Sequence, residues 1–182
     1  MRIIAGIAKR REIKVPKAVL RPTTDRTREA LFSMLQHYLD GAKVLDMFAG
    51  AGSLGMEALS RGAQSCDFVE SNGVCGKVIR ENLKQLGLSG GNVIGLDAIA
   101  YIQRNQTNYD LIFADPPYYK TQGDHDFVSE LLELPNLLES LADDGLCVME
   151  VDSRHEPRVP STWDLVDRRS YGSCSIIFLR KK

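Results

Sequence analysis

Apolar positions along the chain switch between two periods. KVLDMF (43–48), CDFVES (66–71), NVIGL (92–96), YDLIFA (109–114) and LCVMEV (146–151) are apolar runs of strand length. Between them, SLGMEALSRG (53–62) and GKVIRENLKQLG (76–87) place apolar residues at helical spacing and close on Gly62 and Gly87. A short helix is predicted through AIAYIQR, after the third run. FVSELLELPNLLESLA (127–142) predicts one or two helices, with Pro135 as the break or kink. WDLVDRR and CSIIFLRK predict a terminal antiparallel pair. Upstream, RIIA (2–5) and REIKV (11–15) predict a hairpin. TREALFSMLQHYL predicts a helix capped by Thr24 or Asp25.

Strands alternating with helices imply a mainly parallel sheet covered on both faces. The expected fold is α/β: a seven-stranded doubly wound sheet preceded by a small hairpin and helix. The expected division is a basic hairpin over 1–20 and the main domain over 21–182. The length, 182 residues, suits one such domain with a core of its own.

Composition narrows the classes. With 43% hydrophobic and 26% charged residues the chain is ordinary for a globular protein. No apolar run approaches the roughly 18 residues of a membrane span. The first residues are basic without an apolar core of signal-peptide length, so the expected location is the cytoplasm. Cys66, Cys75, Cys147 and Cys174 are widely spaced and predict free, mostly buried thiols. His37, His125 and His155 have no metal-ligand spacing. Net charge is −1, but it is unevenly spread. Residues 1–28 hold nine basic side chains against two acids, giving +7, so the remaining 154 residues carry −8. A basic arm on an acidic body suits either a polyanionic partner or a solvated extension. Arg2, Lys9, Arg10, Arg11 and Lys14 are its candidate contacts.

Candidate chemistry gathers at strand ends. In VLDMFAGAGSLGMEAL (44–59), Gly50, Gly52 and Gly55 match G-x-G-x-x-G. That pattern serves a dinucleotide, S-adenosylmethionine (SAM), or a tight strand–helix turn. Asp46, inside the strand end, suits the amino group of a methionine moiety better than a pyrophosphate. It also suits a helix cap. Phe48 begins the loop. Glu70, followed by Ser71, ends the second strand and can accept ribose hydroxyls. Asp97 and the Ala98 backbone follow the third strand, where an adenine edge would lie. Each acid alone also fits an exposed surface position. Together they mark the carboxyl end of an open sheet, where ligands of such folds bind.

FADPPYY (113–119) ends the fourth strand. Methyl transfer to a base's exocyclic amine needs acceptors that orient the amine, because its lone pair is delocalised into the ring. Asp115 and the Pro116 carbonyl suit that task, Pro117 stiffens the turn, and Tyr118 can stack on an unstacked base. Tyr119 is assigned no role beyond packing.

A D-P-P-Y after a glycine-rich SAM loop resembles amino-methyltransferases. RIIAG (2–6), LRPTTDRTREALFSML (20–35), LDMFAGAGSLGMEALSRGA (45–63), FVES (68–71), DPPY (115–118) and YGSCSIIF (171–178) resemble, in order, the bacterial RsmD family. That resemblance implies a Rossmann-like class I methyltransferase fold and SAM as cofactor, with S-adenosyl-L-homocysteine as product and no metal. It implies methylation of guanine N2 in 16S rRNA of the small ribosomal subunit; the expected state is a monomer. It further implies that Arg21, Thr23 and Thr24 close over the methionine end of the cofactor. Two positions depart from the family pattern: Arg10 stands where glycine is common, and Asn72 where E-x-D is frequent. A DNA or protein amino-methyltransferase using the same motif is the alternative enzyme. A noncatalytic RNA-binding assembly factor is the alternative outside catalysis.

Overall fold

A computed structural model describes residues 1–17, 24–119, 121 and 123–182. Helix α1 (Asp25–Met34) precedes a short 3-10 turn (Gln36–Tyr38). Then come β1 (Lys43–Met47), α2 (Ser53–Ser60), β2 (Ser65–Val69), α3 (Gly73–Leu86), β3 (Gly91–Ile94) and α4 (Ala98–Ile102). β4 (Tyr109–Ala114), α5 (Phe127–Glu133), α6 (Pro135–Ser140), β5 (Leu141–Asp152), β6 (Trp163–Tyr171) and β7 (Cys174–Lys181) complete the chain.

The seven strands form one sheet in the order β3-β2-β1-β4-β5-β7-β6. The first five are parallel, and β7 runs antiparallel to both β5 and β6. Strand order reverses at β1, between β2 and β4, which creates the topological switch point. Two apolar clusters fill the two faces. One joins Val44, Phe68, Phe113 and Val148 to α1, α2 and α3. The other joins Leu45, Met47, Ile112 and Met149 to α5 and α6. β1 is therefore buried on both sides along Val44–Met47, as its unbroken apolar run requires.

Local signals account for the ends of the elements. Thr24 caps α1, its hydroxyl accepting from the Thr27 N–H at 3.2 Å. Gly87 closes α3 in the left-handed conformation. Pro135 falls at the start of α6 and separates it from α5, so the long apolar segment is two helices. The first helix is shorter than expected, because its last turn tightens to 3-10 geometry.

The N-terminal hairpin takes a different form from the one expected. Among the described residues its pairing reduces to one antiparallel bridge, Arg2 with Glu12. The reason lies in α2. The Ile4 and Ala5 N–H groups donate to the Glu57 carboxylate at 2.8 and 3.0 Å. Ile7 N–H donates to the Ser60 carbonyl and Ala8 N–H to the Ser60 hydroxyl. Donors that a longer ladder would use are thus engaged by the helix. Ile3, Ala8 and Ile13 are buried in the same core as Leu31 and Phe32.

Candidate active site

The loop from β1 to α2 is held from two sides. Asp46, 2% exposed, accepts the Gly55 N–H at 2.9 Å, in the first turn of α2. Burial pushes its carboxyl up to about 7, against the Gly55 hydrogen bond and with help from the Glu70 charge. Asp46 therefore acts as an anchor for the helix in this structure, the second of the roles its position suits. Gly55 permits the close α2–β2 approach, since a Cβ there would meet the Phe68 ring at 2.4 Å and Cys66 Sγ at 2.5 Å. Gly50 and Gly52 take positive φ, 54° and 75°, and so does Phe48, at 57°. For a phenylalanine that conformation costs on the order of 1–2 kcal/mol. The Phe48 ring lies 5.6 Å from Phe127, coupling the loop to α5.

Glu70, just past β2, uses both oxygens on backbone. Oε2 accepts the Gly50 N–H at 2.8 Å and Oε1 the Asn72 N–H at 2.7 Å. Asn72, the departure noted above, caps α3 by accepting from Val74 and Cys75. Ser71 between them is exposed. Asp97 caps α4, with one oxygen accepting from the Ile99 and Ala100 N–H groups at 3.0 Å each. Ala98 beside it is buried. Asp46, Glu70 and Asp97 thus stand at the same edge of the sheet, at the ends of β1, β2 and β3. These residues fit SAM: backbone N–H groups and carboxylates line a loop with little side-chain bulk. Thr24 is the cap of α1; Arg21 and Thr23 lie outside the described residues.

Asp115 and Pro116 follow β4 directly, across the switch point from the glycine loop. Pro116 is buried and Pro117 exposed. Tyr118 is half-buried, and its hydroxyl donates to the Glu150 carboxylate on β5. Burial, the Glu150 hydrogen bond and charge, and the Asp115 charge all push the phenol up. The sequence reading left this partner out. Its only signal was an acid inside the apolar run LCVMEV. Tyr119 packs its ring 4.7 Å from that of His155, whose Nε2 lies 3.1 Å from Asp126 Oδ1. Asp126 caps α5, and partial burial alone would raise its carboxyl. Hydrogen bonds from Ser129, and then His155, outweigh that burial and lower its carboxyl.

The basic arm divides in two. Arg11 donates to the Leu86 carbonyl at 2.6 Å and to the Gln85 carbonyl, at the end of α3. Lys14 pairs with Glu81 at 3.4 Å and Arg2 with Glu12 at 3.8 Å. Lys9 and Arg10 sit exposed at the turn and, among the described residues, enter no ion pair. Arg10 takes φ 69°, the left-handed conformation glycine would adopt, so the turn accommodates its arginine.

Comparison with known proteins follows the same outline. A family model described as "Conserved hypothetical protein 95" matches residues 1–180. Ribosomal RNA small subunit methyltransferase D of Escherichia coli (strain K12) is 36% identical over 170 residues, 91% of this chain and 82% of that protein. The solved Escherichia coli chain yhhF superposes with a TM-score of 0.85 at 33% identity, covering 100% of this chain and 98% of that one. The solved chain SMU.776, complexed with SAH, shares the fold alone. Its TM-score is 0.64 at 14% identity, over 84% of this chain and 48% of that one. The chain belongs to the family of ribosomal RNA small subunit methyltransferase D, the one described as Conserved hypothetical protein 95.

Proposed function

We propose that this protein methylates the exocyclic N2 amine of a guanine in 16S rRNA of the small ribosomal subunit, with SAM as methyl donor. The observation that carries the reading is Asp115. It ends β4 directly across the switch point from the glycine loop, in a chain belonging to the family named above.

Asp46, Phe48, Gly50, Gly52, Glu70, Ser71, Asp97 and Ala98 hold the cofactor, with Thr24, Arg21 and Thr23 toward its methionine end. Bound SAM supplies a methyl group already activated by a sulfonium, so the chemistry calls for no metal; S-adenosyl-L-homocysteine is the product. The Asp115 carboxylate and the Pro116 carbonyl accept the two amine hydrogens. They turn the nitrogen lone pair out of conjugation and stabilise positive charge developing there. Pro116 and Pro117 keep those acceptors from relaxing away. Tyr118 covers the face of the unstacked base. Lys9 and Arg10, with Arg2, Arg11 and Lys14 behind them, meet RNA phosphates. Residues 1–20 act as the RNA-contacting part and 21–182 as the methyltransferase part. The protein works as a monomer in the cytoplasm. No helix among the described residues is long and apolar enough to cross a membrane.

The test is transfer of labelled methyl from SAM into unmethylated small subunits, naked 16S rRNA, DNA and release-factor protein, followed by nucleoside mass spectrometry. N2-methylguanosine in the rRNA is the expected product. Label in DNA or protein alone would favour the alternative amino-methyltransferase. No SAM binding by calorimetry would favour a noncatalytic assembly factor.

A further inference from the structure

We propose that Glu150 determines base specificity: its carboxylate accepts the N1–H of the target guanine while Asp115 and Pro116 accept the adjacent N2 amine. The inference rests on the guanine-N2 reading above and states how guanine is told from other amine-bearing bases.

Register brings the two carboxylates side by side. β4 and β5 pair in parallel, Phe113 with Val148 and Ala114 with Met149. One residue further on come Asp115, just past the end of β4, and Glu150, still within β5. Continued alternation would set both on the side of Phe113 and Val148. Those four residues line one cleft with Leu31, Leu54 and Ile176. Glu150 also borders the adjoining cleft, beside Pro116, Pro117 and Tyr118. It lines both clefts.

Two neighbouring groups sense the pair together. The Tyr118 hydroxyl donates to Glu150 and also feels the Asp115 charge. The Cys174 thiol is pushed up to about 11 by burial, by the Glu150 charge and hydrogen bond, and by Asp115. On the sheet itself, Glu150 sits opposite Ile176 and between Met149 and Val151. An acid placed there faces apolar strand neighbours, and its polar contacts include the Tyr118 hydroxyl and the Cys174 thiol.

Guanine matches this arrangement chemically. Its Watson–Crick edge presents N1–H and the N2 amine as donors side by side. Adenine and cytosine set a ring-nitrogen acceptor beside their amines, and that lone pair would face a carboxylate. Accepting N1–H also moves electron density toward the exocyclic nitrogen, which must act as nucleophile. A carboxylate has more acceptor sites than the Tyr118 hydroxyl alone takes up. Tyr118 instead fixes the carboxylate's orientation while its ring covers the base.

The test uses the full-length protein and 16S rRNA assembled by ligation. The methyl-accepting guanosine, once located by mass spectrometry, is replaced by 2-aminopurine, which keeps the 2-amine but has a bare N1 acceptor. Wild type should show kcat/KM about 10- to 100-fold lower on the 2-aminopurine RNA, as expected when a site's polar group loses its partner. Glu150→Ala should weaken transfer to guanosine and shrink that preference to within about threefold. Glu150→Gln, whose amide can donate to a bare N1, should narrow or invert it. SAM binding by calorimetry identifies folded variants, and Glu150→Gln decides the matter if Glu150→Ala does not fold. A folded variant that keeps the full wild-type preference overturns the assignment. Failure of the guanine-N2 reading shows separately, as wild-type methylation of a different atom.

Discussion

Arg28 on α1 and Glu57 on α2 are both shut off from solvent, with Arg28 Nη1 3.9 Å from Glu57 Oε2. Each holds more than the other. Glu57 also accepts the Ile4 and Ala5 N–H groups and the Arg61 Nε–H at 2.7 Å. Arg28 Nη2 donates to the Arg2 carbonyl at 2.7 Å and to Asp25 at 2.8 Å. One buried cluster therefore ties the N-terminal arm to the first helix and to the helix that follows the glycine loop.

Removing Glu57 would take away the one buried carboxylate beside Arg28, leaving it Asp25, and would leave two arm N–H groups without their acceptor. Glu57→Ala should cost about 3–5 kcal/mol, the usual range for breaking a buried ion pair from one side. Urea unfolding measures the loss, and amide exchange should accelerate at Ile4 and Ala5. A variant within about 1 kcal/mol of wild type, the range of an exposed pair, would mean that the cluster does not anchor the arm.

Asp46 gives the protein a pH-dependent stability term with an unusual sign for a carboxylate. Its folded pKa, about 7, stands above its ordinary value of 3.8. Between those values the folded state holds a proton that the unfolded chain releases. Stability from this group is therefore complete below the lower value and falls as pH rises toward 7. Above 7 the penalty stays constant. Roughly three pH units at about 1.4 kcal/mol each put its size near 4 kcal/mol at most. Asp46→Asn cannot ionise and keeps an oxygen for the Gly55 N–H. Paired urea titrations should show the variant gaining on wild type between pH 4 and 7. A difference that stays flat over that range would contradict the buried, proton-retaining carboxyl.

Much of this architecture was legible locally. Pro135 separates α5 from α6, Gly87 closes α3, and Thr24 caps α1, each through interactions within a few residues. The acids at the ends of β1, β2 and β3 were visible because their positions follow from strand length alone. What escaped depends on contacts between distant segments. The arm's ladder is cut short because Glu57 and Ser60, more than 50 residues away, take its donors. The partner of Tyr118 lies 32 residues downstream on a neighbouring strand. Asp46 reads as a ligand residue by its place in the strand, yet its burial and its bond to Gly55 emerge only when α2 packs down.

The arm's charges should separate by experiment into two kinds. Lys9 and Arg10 project from the turn, whereas Arg11 caps the end of α3 through two carbonyls. Charge reversal at Lys9 and Arg10 should leave stability nearly unchanged, weaken binding to 16S rRNA, and reduce the salt slope by about 1 per lost phosphate contact. Arg11→Glu should instead lower stability by about 0.5–1.5 kcal/mol, since it withdraws donors from carbonyls it now serves. Filter binding across a salt series, set beside urea unfolding, distinguishes the two. An unchanged salt slope in the Lys9 and Arg10 variant would remove the turn from the RNA interface.

Asp115 offers the sharpest separation of chemistry from binding. It leaves β4 just before a buried proline and an exposed one, so its side chain can be changed without disturbing the strand's own hydrogen bonds. The residues proposed to hold the cofactor lie on the other side of the switch point, at the ends of β1 and β2 and beside the start of α4. Asp115→Ala should therefore lower single-turnover methyl transfer by at least about 10²–10³-fold, the scale for losing a preorganised acceptor or donor. SAM affinity by calorimetry should change little. Asp115→Asn keeps one acceptor oxygen of similar geometry and should retain part of the rate, which a purely structural role for the position would not predict. If both variants transfer methyl at the wild-type rate, the acceptor that orients the amine lies elsewhere. Loss of SAM binding along with turnover would place Asp115 in the cofactor site instead.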